Sequence, residues 1–229
     1  ISEDDRELYE EIERDLGIEI RLLEVPEEDY LEIIKSPEHG YGSAMNPCLD
    51  CRILILKQAK KYMKEVSADF IITGEVLGQR PMTQRRDTLN LIQRESALGD
   101  RLLRPLSAKM LSETTPEEKG WVNREELLDI DGRSRKRQIE LSKKYGIDHY
   151  SQPAGGCLLT EEEFGYRIQE VFQHKGKENT TPRDLKSLKH GRHFRLPDGA
   201  KAIIGRDEED NASLEEFLSD YWSIEISDF

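Results

Sequence analysis

Cys48, Cys51 and Cys157 are the three cysteines of this 229-residue chain, and their types and spacing suit sulfur or metal chemistry. Cys48-Leu-Asp-Cys51 follows Asn46-Pro47 and precedes an apolar run, the order expected where a helix begins. Asn46 suits the cap of that helix and Pro47 its first turn. Residues three apart on a helix are neighbours, so both sulfurs face the same way. The positive end of a helix favours the thiolate, which binds metals and attacks electrophiles. Cys157 lies in PAGGCLLT, where two glycines let the backbone approach a ligand closely.

Any one of these cysteines alone reads first as a small buried hydrophobe. Together, a Cys-x-x-Cys and a third cysteine behind two glycines point to chemistry. A thioredoxin-like dithiol requires no third cysteine. Structural zinc takes four protein ligands, and His39 or His149 is available as the fourth. An iron–sulfur cluster on three thiolates leaves one iron open to substrate or sulfide. Spacing alone leaves zinc and iron–sulfur both open.

The elements that must position these residues follow from periodicity. From Glu3 to Leu16, Leu8, Ile12 and Leu16 recur every four positions and Gly17 closes a helix. IEIRLLEV, 18–25, alternates as a strand does. A helix is expected over 47–66, a buried parallel strand over 69–75 (DFIITGE), a helix over 82–98 and a strand over 102–108. Alternating strand and helix predicts an α/β fold, a mostly parallel sheet covered by helices. Short helices are expected after Pro116. Pro-Asp-Gly inside RHFRLPDGAKAIIGR signals a β-hairpin. These readings divide the chain into an α/β domain over 1–115, a helical segment with the third cysteine over 116–175 and a basic β-containing module over 176–229.

The low cysteine count and the lack of a long apolar run read as a cytoplasmic protein with no membrane partner. The formal net charge of −13 argues against unspecific nucleic-acid binding, but it is unevenly spread. Residues 1–34 hold fourteen acids against three bases, whereas residues 165–206 hold ten bases against four acids. A nucleic-acid partner must therefore meet a local basic face.

NPCLDC, ADFIITGEVLGQRPMTQ (68–84), RLLRPLSAK (101–109), GRSRKRQIELSKKYGI (132–147) and PAGGCLLTEEEF (153–164) follow one another in an order that resembles the ATP-dependent tRNA thiolation enzymes. These include tRNA 2-thiouridylases and tRNA 4-thiouridine synthase-like proteins of the adenine-nucleotide α-hydrolase (PP-loop) superfamily. The resemblance implies a Rossmann-like parallel sheet and a sulfurtransferase that adenylates a uridine carbonyl with ATP and Mg before sulfur attacks. It makes Cys51 and Cys157 the sulfur-handling pair. With Cys48 they resemble the three thiolates that hold a 4Fe–4S cluster in some of these enzymes. A metal-free persulfide cycle and a zinc-stabilised, non-catalytic RNA-binding protein are the alternatives. Sulfur would come from sulfide or a persulfide carrier.

Thr73, Gly74 and Glu75 end the expected parallel strand, where α/β folds place ligands, and are expected to border the nucleotide. Gln79 and Arg80 follow on that edge. Arg133, Arg135, Lys136 and Arg137 open an expected helix and are candidates for tRNA backbone contact, as are Arg192 and Arg195. RDLKSLKHGRHFRLPDGAKAIIGRDEEDN, from 183 onwards, resembles the NFACT-R type of RNA-binding module appended to such thiolases. The superfamily's Ser-Gly-Gly-x-Asp-Ser phosphate loop is absent from the 229 residues. Its strand and loop are expected upstream of Ile1, which would make this chain part of a longer protein.

Overall fold

The Cys-x-x-Cys does open a helix. Cys48–Glu65 runs for 18 residues in the computed structural model, which describes residues 5–147 and 157–217. Ile53, Leu56 and Met63 of this helix are buried with Ile92, Leu98 and Leu102 in one core. The Asn46 and Pro47 expected at its start stand just before the first helical residue.

The chain divides into two units, each made of two stretches: residues 1–25 with 48–156, and residues 26–47 with 157–229. The described residues are α/β and mostly helical. In the first unit β1 (Ile71–Ile72) pairs in parallel with β2 (Leu102–Leu103). In the second, β3 (Arg192–Arg195) and β4 (Lys201–Ile204) form an antiparallel hairpin.

The sheet of the first unit is far smaller than the sequence pattern suggests. The strands expected over 69–75 and 102–108 each retain two residues, and the helix expected over 82–98 spans Arg86–Glu95. Residues 18–25, expected as a strand, have no ladder partner among the described residues. Alternation supplies a face to bury, but a strand also needs a neighbour for its backbone groups. Ile18, Leu22 and Leu23 there are 51, 48 and 39% exposed. The helix Asp5–Leu16 forms as expected and is closed by the Gly17 amide on the Glu13 carbonyl.

What replaces a longer ladder is side-chain bonding. Ser107 is fully buried; its hydroxyl donates to the Ile130 carbonyl at 2.6 Å and accepts the Leu77 amide at 2.9 Å. Leu77 also bridges to Asp131, and its carbonyl takes the Gly132 amide at 2.7 Å. Gly78 holds a φ of +75°, and a Cβ there would lie 3.4 Å from the Gly132 nitrogen, so both backbone angle and space favour glycine. Lys109 donates through Nζ to the Glu125 carbonyl at 2.7 Å. Ser107 and Lys109 are thus structural residues of RPLSAK.

Glu75, at the exit from β1, is 3% exposed. Its carboxylate accepts Arg52 Nε at 2.9 Å, Arg104 Nε at 2.8 Å and the Thr73 hydroxyl at 3.0 Å. Arg104, 4% exposed, spends its remaining donors on Gln93 and the Leu89 carbonyl. Burial pushes the Glu75 carboxyl up, but the two guanidiniums outweigh it and hold the group below its ordinary range. Its contribution to stability is therefore present above the ordinary carboxylate range and is lost as pH falls through the depressed value. Glu75→Ala leaves Arg104 buried and unpaired, and urea unfolding is expected to show a loss of about 3–5 kcal/mol. The more exposed Arg52→Ala should cost less.

Candidate nucleic-acid interface

The hairpin of the second unit is closed at its tip by Leu196–Gly199, with Pro197 pre-set for the second position of the turn. Gly199 takes a φ of +88°, and the Asp198 carboxylate accepts the Ala200 amide at 3.0 Å. At the open end one side chain ties both strands. Asp210 is 5% exposed and accepts the Gly191 amide at 3.2 Å, the Arg206 amide at 3.1 Å and the Arg206 guanidinium. The bond from Arg206 holds the Asp210 carboxyl far below its ordinary range. Asp210 is the third residue of the helix Glu208–Glu215, capped by Asp207.

Register fixes which side chains share a face. Arg192 lies opposite Ile204 and Phe194 opposite Ala202. This face is open, with Phe194 47% and Ile204 58% exposed. His193 lies opposite Ile203, and Arg195 opposite Lys201, on the other face. There Glu170 of the helix Glu162–Lys175 accepts Arg195 Nε at 2.6 Å and Lys201 Nζ at 3.3 Å. Arg192 and Arg195, both expected to meet nucleic acid, thus point to opposite sides: Arg192 is exposed and Arg195 is half-buried against Glu170.

Cys48 and Cys51 sit in the first turn of their helix, half-buried, and Cys157 is exposed; all three carry thiols. At about 100° per residue the two helical cysteines project about 60° apart, with Cys51 on the side away from the stripe of Ile53, Leu56 and Met63. Asn46, 4% exposed, donates its side-chain amide to Cys157 Sγ at 3.5 Å within the second unit. The glycines at 155 and 156, with the rest of 148–156 including His149, lie outside the described residues.

Thr73 and Gly74 leave β1 with Thr73 half-buried and Gly74 exposed, while Glu75 is consumed by its two arginines. Gln79 donates to Gln138 at 2.7 Å, and Arg80 is exposed. Of the basic run in the first unit, Arg133, Lys136 and Arg137 are exposed at the head of the helix Lys136–Lys144, and Arg137 pairs with Asp129 at 2.8 Å. Sequence reading did not single out Phe194 or Lys201 as site residues. Phe194 is marked only by the hairpin alternation, and Lys201 needs the strand register and Glu170 to be seen.

Residues 191–229 match the family model of the NFACT protein RNA binding domain. No curated protein and no solved structure matches the chain. The matched segment begins at Gly191, the residue that Asp210 ties, and contains the whole hairpin. An RNA-binding domain of this kind fits RNA as the partner. Among the described residues no helix is long and apolar enough to cross a membrane.

His193 gives the interface a pH signature. Its Nε2 lies 2.9 Å from the His190 carbonyl, and its Nδ1 is buried without a hydrogen-bond partner. Burial, and then the charge of Lys201, push its pKa down to about 4. The unfolded chain takes up this proton from about 6.5 downward and the folded chain does not, so stability should fall as pH drops from about 6.5 to about 4. Thermal melts across that range should show a shallower decline in His193→Phe than in the parent.

Proposed function

We propose that the chain is the RNA-binding and sulfur-handling part of a tRNA uridine thiolation enzyme. The observation that carries the RNA half is the match of residues 191–229 to an RNA-binding domain, whose hairpin lies at the end of the basic stretch 165–206 of an acidic chain. Its open hairpin face pairs a cation, Arg192, with an aromatic ring, Phe194, a combination on which unstacked bases can lie. The sulfur half rests on the sequence strings around Cys48, Cys51 and Cys157 and on the PP-loop resemblance, including its Rossmann-like fold.

In this reading ATP with Mg adenylates the uridine carbonyl oxygen, turning a poor leaving group into AMP. Sulfur then forms the new carbon–sulfur bond as the carbon–oxygen bond to AMP breaks. Thr73 and Gly74 border the nucleotide, and Glu75 acts behind them by holding Arg52, the neighbour of Cys51. The proposed donors are three thiols, two at the start of a helix and one exposed. Such a cluster, if held by Cys48, Cys51 and Cys157, would supply an iron open to sulfide.

A second reading, a zinc-stabilised RNA-binding protein without catalysis, is favoured by the absence of Ser-Gly-Gly-x-Asp-Ser from these residues. A third is a persulfide cycle on Cys51 and Cys157 without metal. Anaerobic purification with metal analysis and an absorption spectrum separates them: iron with a broad visible band for the first, zinc for the second, no metal for the third. Under the first reading Cys48→Ala, Cys51→Ala and Cys157→Ala each lose the iron while tRNA affinity is kept. Full iron content in Cys48→Ala would contradict it.

A further inference from the structure

The two strands of the hairpin carry three cations, and two of them are already spent. Arg195 and Lys201 share Glu170 on the packed face. His193 lies on that face too, and with its pKa pushed down to about 4 by burial and then by Lys201 it is uncharged near neutral pH. Arg192, on the open face, is exposed and has no hydrogen-bond or ion-pair partner among the described residues. The strands therefore offer a phosphate one guanidinium.

The rest of the open face is apolar. Phe194, Leu196 and Ile204 are all exposed there. Ala202 stands opposite Phe194, and one step further the Leu196 amide donates to the Ala200 carbonyl at 2.9 Å. With small side chains across from it, the ring has no large cross-strand neighbour to pack on. An aromatic side chain turns about two torsions only, so it offers contact area at low entropy cost.

We propose that this face binds unpaired RNA, a base stacking on Phe194 while Arg192 meets a neighbouring phosphate, so that affinity comes from stacking more than from charge. The proposal rests on the RNA-binding reading of residues 191–229 and names the state of the RNA that the surface accepts. An A-form duplex presents phosphates, 2′-hydroxyls and base edges, and hides the flat faces of its bases in the stack. Against this hairpin it would meet one available cation and three apolar side chains. A duplex also carries about twice the phosphate charge per unit length, in front of a chain whose formal net charge is −13. An unpaired strand exposes its bases, and every base has a face that can stack on an aromatic ring.

The test uses the whole chain and a fluorescently labelled oligoadenylate of about twelve nucleotides, free or annealed to oligouridylate, with anisotropy followed as salt is raised. The single strand should bind about tenfold or more tighter than the duplex. Phe194→Ala and Phe194→Leu should each weaken single-strand binding about tenfold without changing the slope of log affinity against log salt, whereas Phe194→Trp keeps the affinity. Arg192→Gln should make that slope shallower by about 0.7. Far-UV circular dichroism verifies that each variant is folded. Single-strand affinity unchanged in Phe194→Ala and Phe194→Leu, or a duplex bound as tightly as the single strand, would overturn the stacking face while leaving the RNA reading intact. Failure of the parent to bind RNA in either form would overturn both. Dimerisation of the parent in sedimentation, abolished by Phe194→Ala with RNA affinity unchanged, would give the face to a second copy of the chain and so overturn the proposal.

Discussion

The first unit depends on one buried carboxylate. Glu75 stands three residues beyond β1, and its two oxygens hold Arg52, one residue beyond Cys51, and Arg104, one residue beyond β2. A two-stranded sheet of two residues each cannot fix the angle of the cysteine helix through its ladder. The helix is held by its core residues Ile53, Leu56 and Met63, and the ion network ties its start to the ends of both strands. Removing the carboxylate leaves the buried Arg104 guanidinium without a counter-charge, which is costly, whereas removing Arg52 leaves Glu75 still paired with Arg104. The start of the helix that carries Cys48 and Cys51 is thus tied by an ion pair one residue beyond Cys51.

The second unit solves a similar problem in another way. A hairpin of two four-residue strands is marginal alone in water, so its open end and one face must be anchored. Asp210 anchors the end through Gly191 and Arg206, and Glu170 anchors the face through Arg195 and Lys201. At Gly191 a Cβ would come within 2.7 Å of the Ile204 carbonyl, so glycine is required for this closure. With one face tied down, Arg192, Phe194 and Ile204 are left exposed on the other. An aromatic ring and a cation displayed on a fixed ribbon suit RNA better than a protein core.

Strongly periodic and turn-bounded elements were legible in the sequence. The helices Asp5–Leu16 and Cys48–Glu65 and the Pro-Asp-Gly hairpin follow from local pattern and turn chemistry alone. The sheet was overread, because an apolar run such as DFIITGE reports burial and not how many ladder bonds it makes. IEIRLLEV shows the same limit, since alternation has no means of supplying a neighbouring strand. The helix start at the two cysteines and the strand position of Arg192 could be found from spacing and turn chemistry. The role of Glu75 could not, because a carboxylate that holds two distant arginines and one that borders a nucleotide have the same sequence signature. Glu170 and Asp210 are likewise single acids in unremarkable contexts until the fold brings their partners together.

The central claim is that the hairpin of the second unit meets RNA. Ultraviolet cross-linking of the chain to a 4-thiouridine-containing tRNA, followed by mass spectrometry of the attached peptides, tests it most directly. The account predicts adducts within 191–204, concentrated on the peptide that carries Phe194. Adducts confined to the first unit, with the hairpin peptides unmodified, would contradict it.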